Sequence, residues 1–168
     1  MADVLNLTDF DLGKNSIARN TYQETQLQWY IDKYEKHYLL MMLGVEEYGK
    51  FIADLTAGAP TSPEWVVVFE PLTVTINREL VTTRGMKEML KGFIYFHYVR
   101  DNLVKQTTTG NVRTSSENGE NISNTSALTQ SRFNDSVADF KNIQLYIHDN
   151  DDDYQDWYYT ELGYSLGI

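Results

Sequence analysis

Residues 105–131 read KQTTTGNVRTSSENGENISNTSALTQS, a polar run set between two segments dense in aromatic and aliphatic side chains. Its main large apolar groups are Val112 and Ile122. Such a composition cannot bury enough apolar surface to offset the entropy of ordering it. Structureless loops beyond roughly 12–15 residues are uncommon inside compact domains unless they are functional or disordered. Two readings follow: a mobile surface loop, or an extended arm that becomes ordered by docking on a neighbouring subunit.

The rest of the chain must then supply the core. Leu27, Ile31, Tyr34, Tyr38 and Met41 step by three or four, the spacing of one helix face. Thr21-Tyr22-Gln23-Glu24 before them has capping-box spacing, and Gly44 is a natural stop. A second helix is expected over Val45–Ala57, ended by Gly58, Pro60 and Pro63. Glu64–Phe69 is two-faced: Trp65-Val66-Val67-Val68-Phe69 is β-prone, yet Ser62-Pro63-Glu64 is helix-start chemistry. Leu72–Ile76 and Glu79–Thr83 alternate around Asn77-Arg78, which predicts a short hairpin. Helical spacing resumes from Gly85 to about Val104, and again over Ser126–His148 with Phe133, Val137, Phe140, Gln144 and Ile147 in register. The Asp149–Asp153 run breaks that helix, and a last short helix is expected through Trp157 and Leu162. Before all of these, residues 1–20 read as an N-terminal arm with short extended pieces at Val4–Leu7 and Ser16–Ala18. The expected class is mainly α: a helical bundle with a short β-hairpin and extended arm and loop segments. The 168 residues form one domain, with the polar tract at 105–131 and an acidic C-terminal segment at 149–168.

The charge is lopsided. Residues 133–168 hold eight acids against Lys141 alone, a net of −7 out of the chain's −10. Such a surface repels phosphates, which disfavours a nucleic-acid grip but suits a wall past which DNA slides. The 12 Tyr, 7 Phe and 3 Trp exceed what a minimal surface needs, and tyrosine serves contact surfaces well. There is no cysteine, so disulfides and thiolate metal sites are excluded. The opening MADVLNLTDFDLGKNS lacks the pattern of a secretory leader, and no apolar run approaches the roughly 20 residues of a membrane span. The expectation is a soluble chain made in a cytosol.

No constellation of catalytic residues stands out. Asp149, Asp151 and Asp153 match the first three spacings of a calcium-binding loop, but Tyr154 stands where glycine is needed and Thr160 where a bidentate Glu is needed. Capping and the helix dipole explain acids there if they open a helix. His37, His97 and His148 fall on separate helices without an acidic companion at ligand spacing, so packing or hydrogen bonding is their expected role. No nucleophile turn, phosphate-cradling glycine loop or dinucleotide fingerprint is present. The helix Met86–Val104 carries Tyr95, Tyr98 and Val99 off its main apolar stripe, so it must be covered on more than one side, by its own chain or by another subunit.

The order of elements adds one more observation. Asn15-Ser16-Ile17-Ala18, Tyr30-Ile31 leading to Met42-Leu43-Gly44, Gly85-Met86-Lys87, Phe93-Ile94-Tyr95-Phe96 with Tyr98 and Arg100, and the tract from Thr109-Gly110-Asn111-Val112 to Glu120-Asn121 span most of the chain. This pattern resembles the head–tail connector (adaptor, or ring) proteins of tailed bacteriophages, of the crAss-like phage type. Glu64–Thr83 does not align with it. The resemblance implies a structural virion protein with no catalytic activity and no cofactor. Such subunits assemble, usually as twelve copies, into a ring under the portal protein that extends the DNA channel and docks adjacent neck or tail ring proteins. DNA passes without specific binding, no membrane is involved, and the chain is made in the bacterial host cytoplasm for the neck of the virion. On this reading Tyr95, Tyr98, Val112 and Ile122 serve subunit or portal contacts, while Glu117, Glu120, Asp149, Asp151, Asp152 and Asp153 face the channel. The rival expectation is a small acidic regulatory module or inhibitor acting on a basic partner.

Overall fold

The computed structural model describes residues 4–17, 23–102, 104–107, 110–113 and 125–159, of which 104–113, 125 and 126 are described as backbone alone. The first helix, α1 (Glu24–Asp54), is one continuous rod by its hydrogen bonds but breaks direction at Gly44, whose φ of 76° and ψ of 176° lie outside the helical region. The glycine expected to stop one helix and start another does both. Gln23 occupies the cap position without a side-chain bond, and Thr21 lies outside the described residues.

After α1 comes a tight two-strand turn, β1 (Leu55–Thr56) with β2 (Ala59–Pro60). The Asp54 carboxylate then accepts the Thr61 and Ser62 N–H groups at 2.7 and 2.9 Å and both hydroxyls at 2.8 and 2.6 Å. Those bonds, the Ser62 pair foremost, hold the carboxyl well below the usual carboxylate range. This bracket presents Pro63 at the first helical position and settles the two-faced segment as a helix, α2 (Pro63–Phe69), with Trp65, Val68 and Phe69 buried.

The expected hairpin is present as β3 (Leu72–Ile76) and β4 (Glu79–Thr83), in the register Ile76↔Glu79 to Leu72↔Thr83. Both turn residues have positive φ, 51° at Asn77 and 71° at Arg78, as a two-residue turn matched to strand twist requires. Helix α3 (Met86–Asn102) follows, then a second hairpin, β5 (Val104–Thr107) with β6 (Gly110–Arg113), and helix α4 (Thr125–Asp149).

The polar tract is therefore not structureless throughout. Its first part pairs as strands, as runs of Thr and Val permit, and its last residues open α4. The last short helix is also absent from the described residues: a single 3-10 turn, Asp151–Asp153, leads into an irregular segment to Tyr159. Leu162 lies outside them. Side-chain anchors, described below, hold that segment open against helix formation.

Helix α3 is the centre of the molecule, packed between α1 and α4. On one side Tyr38 stacks on Phe93 and Tyr34 on His97, each at 3.8 Å between ring centres. On the other, Phe133 meets Phe96 at 4.5 Å and Phe93 at 5.3 Å. Gly92 lets α4 approach so closely that a Cβ there would strike the Ser136 side chain. The cover that α3 required thus comes from its own chain.

Candidate assembly surface

Two buried glutamates on α1, one on either side of the Gly44 break, receive main-chain N–H from a distant segment, two groups at Glu35 and one at Glu47. Glu35 accepts from Val4 and Leu5 at 3.0 and 2.9 Å, which lays residues 4–17 along the bundle with Val4, Leu5, Phe10 and Ile17 buried. These residues are no free arm: they supply core. Asn6 and Asp9 close a capping box on the 3-10 turn Leu7–Phe10, and Lys14 pairs with Asp135 and Lys87 with Asp9.

Glu47 accepts the Asp156 N–H at 3.1 Å, and Lys50 bridges Glu47 and Asp156 at 2.8 and 2.7 Å. Those two bonds push the Lys50 ammonium above its ordinary value. Beside the Gly44 break, the Trp157 indole N–H donates to the Met42 carbonyl at 2.8 Å. Tyr158 lies against Gly44 itself, where an added Cβ would sit 3.2 Å from its ring. Tyr154 is buried on Trp65 and donates its hydroxyl to the Glu64 carbonyl, and burial pushes its phenol up. The outer face of this strap stays exposed: Tyr158 is 59% and Tyr159 63% accessible.

The anticipated site residues divide. Tyr98 is buried against Tyr30 at 5.5 Å, in its own chain, and Tyr95 is partly buried under the Arg132 guanidinium at 4.3 Å. Of the two roles foreseen for them, packing is the one their surroundings describe. Asp149, Asp151, Asp152 and Asp153 are brought together and exposed at the C-terminal end of α4, the last three in a single 3-10 turn and not at the start of an α-helix. The dipole there disfavours negative charge, so capping does not account for them. Val112 lies in β6, with only its backbone described. Glu117, Glu120 and Ile122 lie outside the described residues.

Among the histidines, His97 is buried with Nε2 2.8 Å from the Tyr38 hydroxyl and Nδ1 without a partner. Burial, aided by the nearby Arg100 charge, lowers it to about 4, so the ring is neutral near pH 7. Among the described residues no three His, Asp or Glu side chains converge as metal ligands would, and no helix is long and apolar enough to cross a membrane. An open groove of about 440 Å³ runs between Leu7 and the first turns of α1, lined by Glu24, Thr25, Gln28, Trp29 and Asp32.

No family model, curated protein or solved structure matches this chain.

The functional surface must therefore be read from the molecule itself. Among the exposed apolar groups that sequence reasoning missed are Trp29, Leu80 and the Tyr158–Tyr159 pair. The first two had a visible signal. Trp29 falls off the Leu27–Ile31–Tyr34–Tyr38 stripe, and Leu80 falls on the opposite parity from the inward Val81 and Thr83. Nothing in the sequence marked the tyrosines, because their exposure follows from where Trp157 is anchored.

Proposed function

We propose that this chain is a structural subunit of a ring that joins a phage portal to the tail and extends the DNA channel. One observation carries the reading: the polar tract opens with a hairpin, β5–β6, that leaves the end of α3 and, among the described residues, packs mainly on itself and on that helix end. The body behind it is a closed aromatic bundle whose polar interior groups hold chain segments in place. A projecting arm on a rigid body is what a subunit needs to reach a neighbour. The acids at the end of α4 give the surface a charge that DNA slides past without sticking.

The test is the mass of the purified protein, alone and mixed with portal protein, by light scattering or native mass spectrometry. A closed assembly, formed alone or on the portal, supports the subunit reading. A chain that stays monomeric in both conditions overturns it. The exposed acids also favour a second reading, a small acidic inhibitor of a basic partner. That reading requires a defined stoichiometry with such a partner and an affinity that falls steeply with salt.

A further inference from the structure

The two hairpins differ in one respect that matters for assembly. With a two-residue turn at Asn77-Arg78, the pairs Ile76–Glu79, Val74–Val81 and Leu72–Thr83 exchange main-chain hydrogen bonds. Thr73, Thr75, Leu80 and Thr82 then direct their N–H and C=O groups away from the ladder. On the β4 side this outward row is met in part by α4: Asn142 donates to the Thr82 carbonyl at 2.7 Å, and just past the strand Arg84 is clasped by Asp139, while Leu80 stays exposed. Among the described residues the β3 side is open: β3 pairs there with β4 alone, and Thr73 and Thr75 are exposed. Natural edge strands are guarded by charge, proline or a bulge, and Leu72–Ile76 carries none of these within the strand. It is an edge built to be paired.

Resting on the subunit reading above, we infer that this edge receives the β5–β6 hairpin of a second copy of the chain, making a four-stranded sheet across each subunit contact. The chain cannot pair its own hairpin there. β4 leads into one end of α3 and β5 leaves the other, and a helix of 17 residues separates them by about 25 Å. A donor at one end and an acceptor at the other make a head-to-tail contact, the kind that repeats until it closes as a ring. Charge agrees. Residues 104–113 hold Lys105 and Arg113 and no acid, in a chain of net charge −10. At the ends of β3 stand the exposed acids Glu70 and Glu79, with Arg78 at the turn and, near Glu70, Arg84, whose charge is taken up by Asp139. Strand addition supplies affinity through main-chain bonds, so it needs no side-chain motif on either partner.

The experiment separates this contact from the ring itself. Thr75→Pro removes an outward N–H and leaves the β3–β4 ladder bonds intact. Thr75→Lys places a guarding charge at the same edge and keeps the N–H. A third variant replaces residues 104–113 with a Gly/Ser linker of equal length. Each is expected to weaken self-association at least about tenfold while retaining wild-type circular dichroism and melting midpoint.

Mixing Thr75→Pro with the linker variant restores one intact contact, and should give a dimer that grows no further. Because the chain has no cysteine, Thr75→Cys and Val112→Cys chains can also be mixed and treated with a short bis-maleimide. Cross-linking between the two kinds of chain supports the contact. Wild-type assembly by all three variants, without mixed cross-links, overturns the edge contact and leaves the ring. A wild-type protein that is monomeric with and without portal overturns both.

Discussion

The segments at 4–17 and 154–159 are fastened to the same helix by the same device, a buried glutamate that accepts main-chain N–H groups, and yet they are different kinds of attachment. At Glu35 the incoming chain brings Val4, Leu5 and Phe10, which vanish into the core. At Glu47 it brings one N–H, an exposed lysine bridge and two tyrosines that remain largely in solvent. The first attachment combines hydrogen bonds with apolar burial, and its loss exposes both. Past the buried Tyr154, the second depends largely on polar contacts with modest net worth in water. Residues 4–17 belong to the fold, and so does Tyr154, whereas residues 155–159 beyond it are expected to come away before the fold is lost.

The largest test is Glu35→Ala. It orphans two buried N–H groups and loosens the apolar segment above them, a loss of about 3 kcal/mol in urea unfolding. Glu47→Ala should cost about 1 kcal/mol, and equal losses would erase the distinction between the two attachments. Gly44→Ala comes next. Its backbone sits in a region that alanine adopts only with strain, and the new Cβ would press on the Tyr158 ring, so about 2 kcal/mol is expected together with release of the strap. Increased proteolysis after Trp157, ahead of global unfolding, is the readout.

Acid probes the Glu35 half of α1, where Tyr34 and Tyr38 cover His97. The folded ring titrates near 4 against an ordinary value near 6.5, so the unfolded chain takes up the proton first. Its contribution is complete above about pH 6.5 and is lost progressively down to about pH 4, on the order of 2 kcal/mol. In His97→Gln, which can still bond the Tyr38 hydroxyl, the stability–pH curve should be flatter across that window. An unchanged slope would assign the acid sensitivity to other groups. The smallest effect is Trp157→Phe, which deletes the bond to the Met42 carbonyl for about 1 kcal/mol. It should quicken hydrogen exchange in the strap and leave the global melt nearly unmoved.

Much of this architecture was legible in the sequence for a plain reason: periodicity is local. The stripes on α1, α3 and α4, the break at Gly44 and the β3–β4 turn are all written within a few residues of where they act. The assembly surface was legible only in part. Residues 105–131 stood out as a tract that needs a partner, but the hairpin inside it did not. The Asp149–Asp153 run ends α4 as expected but opens only a single 3-10 turn instead of a last helix, because the side chains that follow it are held elsewhere. Tyr154 reaches Glu64, and Trp157 reaches Met42, across 90 and 115 positions of sequence.

By itself the sequence determined the helices, one hairpin, the acidic bias and the presence of a polar tract that no core could absorb. Tertiary structure alone decided which glutamates hold the chain's distant segments, whether Glu64–Phe69 coils or extends, and that α4 meets β4 while no described segment meets the edge of β3. Each of those outcomes depends on groups far apart in the chain meeting in a water-poor place, where an unpaired N–H or carboxylate is costly and a paired one is stable. Pairing of that kind carries no local period for a sequence to display.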